Sequence, residues 1–257
     1  MEDKDYIKAL EKALKIICLL SQHGSPLNLE NLVRISGVKK TSCFRILQTL
    51  VRSGFVAREP DTNGYFIGPK MISIGLAAMD RGGVRELALP FMKELREKTG
   101  TTVNLGVLSG TEVIFVERLQ SPYILEPSLR VGSRLSVHCS SLGKAILAQL
   151  PESEVEELLK QIHFERKTEK TIMSVRALKA ELKTIRERGF ALNDEELEPG
   201  LFAISAALRN HTGAAVAAMN MAFPLMRHSK EKAMTSFLPL LLDICGKISS
   251  VMGFREK

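Results

Sequence analysis

A polar, positively charged helix face between residues 40 and 53 carries the most informative chemistry of the sequence. A helix over this segment is expected to bury one apolar stripe, formed by Phe44, Leu47, Leu50 and Val51. The opposite face is then formed by Thr41, Ser42, Arg45, Gln48, Thr49 and Arg52. These hydrogen-bonding and cationic side chains suit base edges and phosphates in the major groove of DNA.

The charge around this helix has one sign. Between Asn31 and Arg58 the chain has six basic residues and no acidic one, and its formal net charge is +7. The basic residues are Arg34, Lys39, Lys40, Arg45, Arg52 and Arg58. A solvated surface normally mixes both signs, so the pattern favours a polyanionic partner, the alternative being a basic face without one.

The flanking segments predict a winged helix-turn-helix. A first helix ends near His23, Asn28 is placed to cap a second, and Gly37 marks the turn before the third helix. Two strand-like runs, 55–58 and 65–67, enclose a turn that contains Pro60 and Gly64, so a hairpin follows the third helix as a wing. Thr41, Ser42, Arg45 and Gln48 would then read bases, and Lys39, Lys40, Arg52 and Arg58 would hold phosphates. The alternative role of the hairpin is scaffolding.

The rest of the chain reads as a linker helix followed by a mixed α/β domain. We predict a DNA-binding domain over 1–70, the linker over 71–84, and a second domain over 85–257 that has helices on one side of a sheet. The four cysteines lack paired spacing, no signal peptide is evident, and no apolar run approaches the ~20 residues that span a bilayer. We therefore expect a cytoplasmic protein without a membrane partner.

A second cluster of polar residues precedes a predicted helix that begins near residue 141. Ser140, Ser141 and the free backbone N–H groups up to Gly143 would suit a carboxylate, and Arg134 and His138 could add positive charge. Ordinary N-capping by the serines and a structural histidine are the competing interpretations.

Several segments together resemble the IclR family of bacterial transcriptional regulators. In the first half these are residues 13–17, 27–29, 37–50, 54–56 and 65–68. In the second half they are residues 131–135, 141–148, 188–201, 203–206 and 213–218. The resemblance implies an α+β protein with an N-terminal winged helix-turn-helix, a linker helix and a C-terminal GAF-like α/β effector-binding domain. One departure is Ala207, where the family often has proline.

The resemblance also implies where a small effector would bind. Carried over by position, the further effector-binding residues are Asn193, Glu196, Ala203, Ser205, Asn220 and Ala222. This lining is less polar than that of relatives that sense two-carbon acids, and Met219 and Met221 alternate nearby, which favours a larger or aromatic organic acid. No cofactor and no metal are expected.

The function that we predict is sequence-specific DNA binding modulated by a small organic acid. A homodimer or homotetramer would read a pseudo-palindromic operator in double-stranded DNA. Repression is favoured, although the family contains activators too.

Three other functions compete with this prediction. An enzyme is disfavoured because His138, Cys139 and Ser140 adjoin one another, so they cannot form a nucleophile–base pair unaided, and no catalytic motif is present. A non-specific nucleic-acid binder would leave the second domain without a task. A metal site at His138 and Cys139 lacks further ligands at usable spacing.

Overall fold

The computed structural model describes residues 6–79, 83–121 and 129–255, without the side chains of 76–79. The chain forms two compact units, Met1–Arg81 and Gly82–Lys257. The predicted linker segment 71–84 lies partly outside the described residues. The helix over Lys70–Met79 falls in the first unit and the next helix, which begins at Val84, falls in the second.

The first unit is a three-helix motif followed by a hairpin and a fourth helix. Its elements are α1 (Lys8–Gln22), α2 (Leu29–Ser36), α3 (Lys40–Arg52), β1 (Val56–Arg58), β2 (Tyr65–Ile67) and α4 (Lys70–Met79). The Asn28 side chain caps α2 by accepting from the Asn31 amide at 2.8 Å. Gly37 ends α2 with φ +68°, a left-handed conformation that favours glycine.

The buried face of α3 differs from the predicted one by one position. Cys43 and Leu47 are fully buried and Leu50 nearly so, whereas Phe44 is 46% exposed. The prediction that Phe44 belongs to the core is therefore wrong. The smaller Cys43 takes that place because it lies one turn before Leu47 on the side that faces α1 and α2.

The second unit contains a six-stranded antiparallel sheet with strand order β5-β4-β3-β8-β7-β6. The strands are β3 (Thr102–Ser109), β4 (Glu112–Leu119), β5 (Arg134–Ser136), β6 (Ala191–Asp194), β7 (Leu201–Arg209) and β8 (Ala215–Pro224). The helices are α5 (Val84–Thr99), α6 (Ser141–Leu147), α7 (Glu152–Leu159), α8 (Val175–Arg188), α9 (Lys230–Lys232) and α10 (Leu238–Val251).

Helices cover both faces of this sheet, which corrects the expectation of helices on one side. On β8 the Asn220 side chain bonds Ser141 of α6, whereas the Phe223 ring lies 5.7 Å from the ring of Phe237, which precedes α10. Successive strand residues point to opposite faces, so Met219 and Met221 share the α10 face with Phe223. These two methionines belong to the core and not to the α6 face.

The continuous helical segment Lys230–Val251, which includes α9 and α10, is long and apolar enough, by length and composition alone, to cross a membrane. This corrects the expectation that no such segment exists. Its buried side chains, Phe237, Leu241, Ile244 and Ile248, and its contacts with β7 and β8 show that it covers the sheet. The segment is therefore a core helix of the second unit.

Candidate DNA interface and ligand cavity

The outward face of α3 is accessible along its length. Lys39, Lys40, Thr41, Arg45 and Arg52 are exposed, and Ser42 and Gln48 are half-buried. Lys40 lies 3.8 Å from Glu30, and both side chains are largely exposed, so the pair contributes little and leaves the lysine available. Seven of the eight predicted DNA-binding residues thus lie on α3 or directly before it.

The eighth, Arg58, is exposed on the hairpin. Its guanidinium donates to Asn63 Oδ1 at 2.7 Å and lies 5.8 Å from the centre of the Tyr65 ring. These contacts orient the Arg58 guanidinium along the hairpin without neutralising its charge.

An open groove between α1 and α3 adds cations that the sequence analysis missed. Lys8 and Lys12 of α1 line it together with Ser42, Arg45 and Thr49 of α3. The apolar stripe of α1 predicts which of its residues are buried. It does not predict that the lysines on the other side of α1 lie next to α3.

The second unit contains a cavity of about 80 Å³ on the α6 face of the sheet. Its polar lining consists of Thr102, Asn104, Arg118, Ser140, Ser141, Asn193, Glu198 and Asn220. Its apolar lining consists of Phe115, Leu129, Leu135, Leu197, Leu201, Ala203 and Ala222. The cavity therefore offers both apolar and polar surface.

A row of side chains crosses the sheet beneath this cavity. Arg118, Asn104, Asn220 and Ser205 are successive register partners on β4, β3, β8 and β7, and we call them the polar row. The Arg118 guanidinium donates to Asn104 Oδ1 at 2.8 Å, and Asn104 Nδ2 donates to Asn220 Oδ1 at 2.7 Å. Asn220 Nδ2 then donates to Ser141 Oγ at 3.3 Å, which links the sheet to α6.

Arg118 is the functional candidate that the sequence analysis missed. Within the described residues, its buried Nε has no hydrogen-bond partner, and no carboxylate forms an ion pair with its guanidinium. Burial lowers the pKa of Arg118, but a guanidinium remains charged at neutral pH. Arg118 lines the cavity as a half-buried cation, which is suited to bind an anion.

Six of the eleven predicted effector-binding residues line the cavity. They are Ser140, Ser141, Asn193, Ala203, Asn220 and Ala222. Ser140 also caps α6, because its hydroxyl accepts from the Gly143 amide at 3.4 Å. Ser140 therefore both caps α6 and lines the cavity.

Three predicted residues lie elsewhere. Arg134 is exposed on the edge strand β5 and pairs with Glu112 at 2.9 Å. Gly143 is packed so closely that a Cβ would come within 2.6 Å of Val137 Cα, and Ser205 is fully buried, donating to the Met219 carbonyl at 3.0 Å. None of the three is among the residues that line the cavity.

His138 is also placed as a structural residue. It is fully buried, and its Nε2 faces the Glu165 carbonyl at 3.1 Å, so Nε2 carries the proton and Nδ1 accepts from Ser136 Oγ at 2.7 Å. Burial lowers the pKa of His138, so it supplies no positive charge at neutral pH. Burial likewise raises the pKa of Cys139 to about 11, which keeps this thiol protonated and unactivated.

Glu196, the remaining predicted residue, forms a buried ion pair. Lys144 of α6 is fully buried, and its Nζ lies 2.6 Å from both carboxylate oxygens of Glu196. Asn193 fixes the same loop by accepting from the Glu196 amide at 3.1 Å and donating to the Cys139 carbonyl at 2.6 Å. The pair thus anchors the loop whose Leu197 and Glu198 line the cavity.

Comparison with known families decides the identity of both units. Residues 9–60 match the IclR helix-turn-helix domain, and residues 76–250 match the bacterial transcriptional regulator IclR C-terminal domain. The chain belongs to the IclR family. IclR proteins are DNA-binding transcriptional regulators and not enzymes.

Individual relatives agree with this assignment. The HTH-type transcriptional regulator BhcR of Paracoccus denitrificans is 33% identical over 99% of this chain and 91% of its own length. The transcriptional repressor IclR of Escherichia coli is 26% identical over 96% of this chain and 91% of its own. An IclR homologue from Microbacterium hydrocarbonoxydans, crystallised with 4-hydroxybenzoate, shares the fold with TM-score 0.82 at 22% identity, covering 95% and 99% of the two chains.

Replacing Lys144 tests how far the IclR effector domain depends on its buried ion pair. Lys144→Met leaves the Glu196 carboxylate buried and unpaired, which should lower the free energy of unfolding by about 3–5 kcal/mol. The double variant Lys144→Met/Glu196→Leu should recover most of this loss. Urea unfolding of the full chain measures it, with Lys247→Met, which removes an exposed pair with Asp243, as the control. A Lys144→Met chain as stable as the wild type would contradict the assignment.

Proposed function

We propose that this chain is a cytoplasmic repressor that releases its operator when a small organic acid occupies the cavity. The observation that carries this proposal is that Arg118, at the end of the polar row, lines the cavity and forms no ion pair with any described carboxylate. A carboxylate bound beside Arg118 in the cavity would neutralise the guanidinium and offset the cost of burying it. The relative from E. coli named a repressor supports the direction of regulation.

The cavity favours an acid with an apolar or aromatic body. Arg118 and Asn104 form its polar floor, while Phe115, Leu135 and Leu201 offer apolar surface. The complex of the Microbacterium protein makes 4-hydroxybenzoate a reasonable first compound to test, since the two proteins share a fold.

We further propose that a homodimer or homotetramer binds a pseudo-palindromic operator. Four large apolar side chains at the start of α1 and along it, Tyr6, Ile7, Leu10 and Leu14, are 53–64% exposed. Such a cluster is expected to be covered by a second copy of the chain. Two-fold symmetry would place the two α3 helices in half-sites about one helical turn apart.

In each half-site, Thr41, Ser42, Arg45 and Gln48 would read bases. Lys39, Lys40, Arg52 and Arg58 would hold phosphates, and Lys8 and Lys12 extend the same basic surface.

Selection from sheared genomic DNA of the source organism tests the function as a whole. The full-length protein should retain fragments that share one short inverted repeat, and adding the effector acid should release them. Retention of unrelated fragments, unaffected by any acid, would favour a non-specific nucleic-acid binder.

Arg118→Met tests the cavity. Loss of a charge-assisted hydrogen bond should weaken acid binding by about 10- to 150-fold, as measured by titration calorimetry. Operator affinity without acid should stay unchanged, because Arg118 belongs to the second unit. Arg134→Met is the matched control, since Arg134 is exposed and pairs with Glu112, and it should bind the acid normally. Equal acid affinity of wild type and Arg118→Met would refute the assignment.

Two substitutions in the first unit separate base reading from phosphate binding. Arg45→Ala should cost about 1–3 kcal/mol on the operator and relax specificity at one base pair. Lys39→Ala should weaken all DNA sequences alike and flatten the salt dependence. Binding isotherms on operator and scrambled duplexes, at two salt concentrations, measure both effects. If the two variants behave alike across sequences, the assignment of the reading face is wrong.

A further inference from the structure

An exposed aromatic ring lies on the outward part of α3, where the first turns should meet DNA. Phe44 is 46% exposed, although its neighbours Cys43 and Leu47 are fully buried. It follows Lys40 and Thr41 by one helical turn and precedes Gln48 by another, so these four side chains share one stripe. The N-terminal part of a recognition helix is the part that contacts base edges.

The surroundings of Phe44 match duplex DNA better than an apolar protein surface. Its neighbours on the helix surface, Lys40, Thr41 and Arg45, are exposed and polar or cationic. The chain from Asn31 to Arg58 contains no acidic residue. An apolar protein partner would have to bury these cations without neutralising them, whereas DNA phosphates would neutralise them.

Base edges in the major groove offer one apolar group, the C5-methyl of thymine. The Phe44 ring has no hydrogen-bonding atom, so this methyl group is the group that it matches. We propose that Phe44 is a specificity-determining residue that contacts a thymine methyl in each half-site. The inference rests on the proposed operator binding and adds to it a base preference that the polar residues of α3 do not supply.

Deoxyuridine substitution tests the contact because it removes the methyl group and leaves every hydrogen-bonding group of the base. With the full-length protein and its selected operator, each thymine of one half-site is replaced in turn, and affinity is measured by fluorescence anisotropy at fixed salt. The wild type should lose about 4-fold in affinity at one position, the fold-change that corresponds to ~0.8 kcal/mol for one buried carbon group.

Phe44→Ala should bind the thymine operator more weakly and should not distinguish thymine from deoxyuridine at that position. Its thermal unfolding should match that of the wild type, since the ring is half exposed. Phe66→Ala is the matched control, because Phe66 is 40% exposed on strand β2 of the same unit, and it should keep the 4-fold difference.

Three results would overturn the proposal. The wild type could be insensitive to every thymine methyl, a result that needs no variant to fold. Wild type and Phe44→Ala could lose affinity equally at the same thymine, which would assign the methyl to another residue. Phe44→Ala could become monomeric while keeping the methyl dependence, which would assign the ring to a second copy of the chain. A selection that recovers no shared motif would instead refute operator binding itself, and with it any base contact of Phe44.

Discussion

The buried ion pair between Lys144 and Glu196 is the interaction on which the second unit depends. A lysine without solvent exposure at the centre of α6 is stable only because the Glu196 carboxylate lies against it. This requirement holds the loop after β6 against the sheet and α6, where Asn193 adds bonds to the Glu196 amide and the Cys139 carbonyl. The loop then places Leu197 and Leu201 over the cavity.

The fully buried Lys144 and the half-buried Arg118 of this unit are neutralised in different ways. Lys144 is neutralised by the chain itself, so it stabilises the fold and offers nothing to a ligand. Arg118 donates to a neutral amide and forms no ion pair with any described carboxylate, so we propose that a bound acid neutralises it. On the same strand, Glu117 points to the opposite face and pairs with Arg85 of α5 at 2.8 Å. Arg118, the proposed ligand contact, is thus adjacent in the chain to Glu117, which contacts α5.

Local sequence signals predicted much of this architecture, because capping residues and glycines act within a few positions. Asn28 and Gly37 mark the two ends of α2 where the sequence placed them. Two features depended on tertiary packing. Hydrophobicity alone placed Phe44 in the core, whereas the smaller Cys43 fits the space next to Leu47. In β4 an extra residue, Val116, lies between the partners of Leu105 and Gly106, so strict alternation from Phe115 would have put Arg118 on the wrong face. The bulge arises from the pairing of β4 with β3, and no local sequence pattern predicts it.

The proposed function requires that acid binding in the second unit be coupled to DNA binding in the first. If the acid lowers the affinity of the protein for its operator by some factor, linkage requires that the operator lower the affinity of the protein for the acid by the same factor. The most direct measurement is the affinity of the acid for the free protein and for the protein saturated with operator, by calorimetry under one set of conditions. Acid should bind the operator complex about 5- to 150-fold more weakly than the free protein, and saturating acid should reduce operator affinity by the same factor. Equal acid affinity in the two states would rule out this coupling.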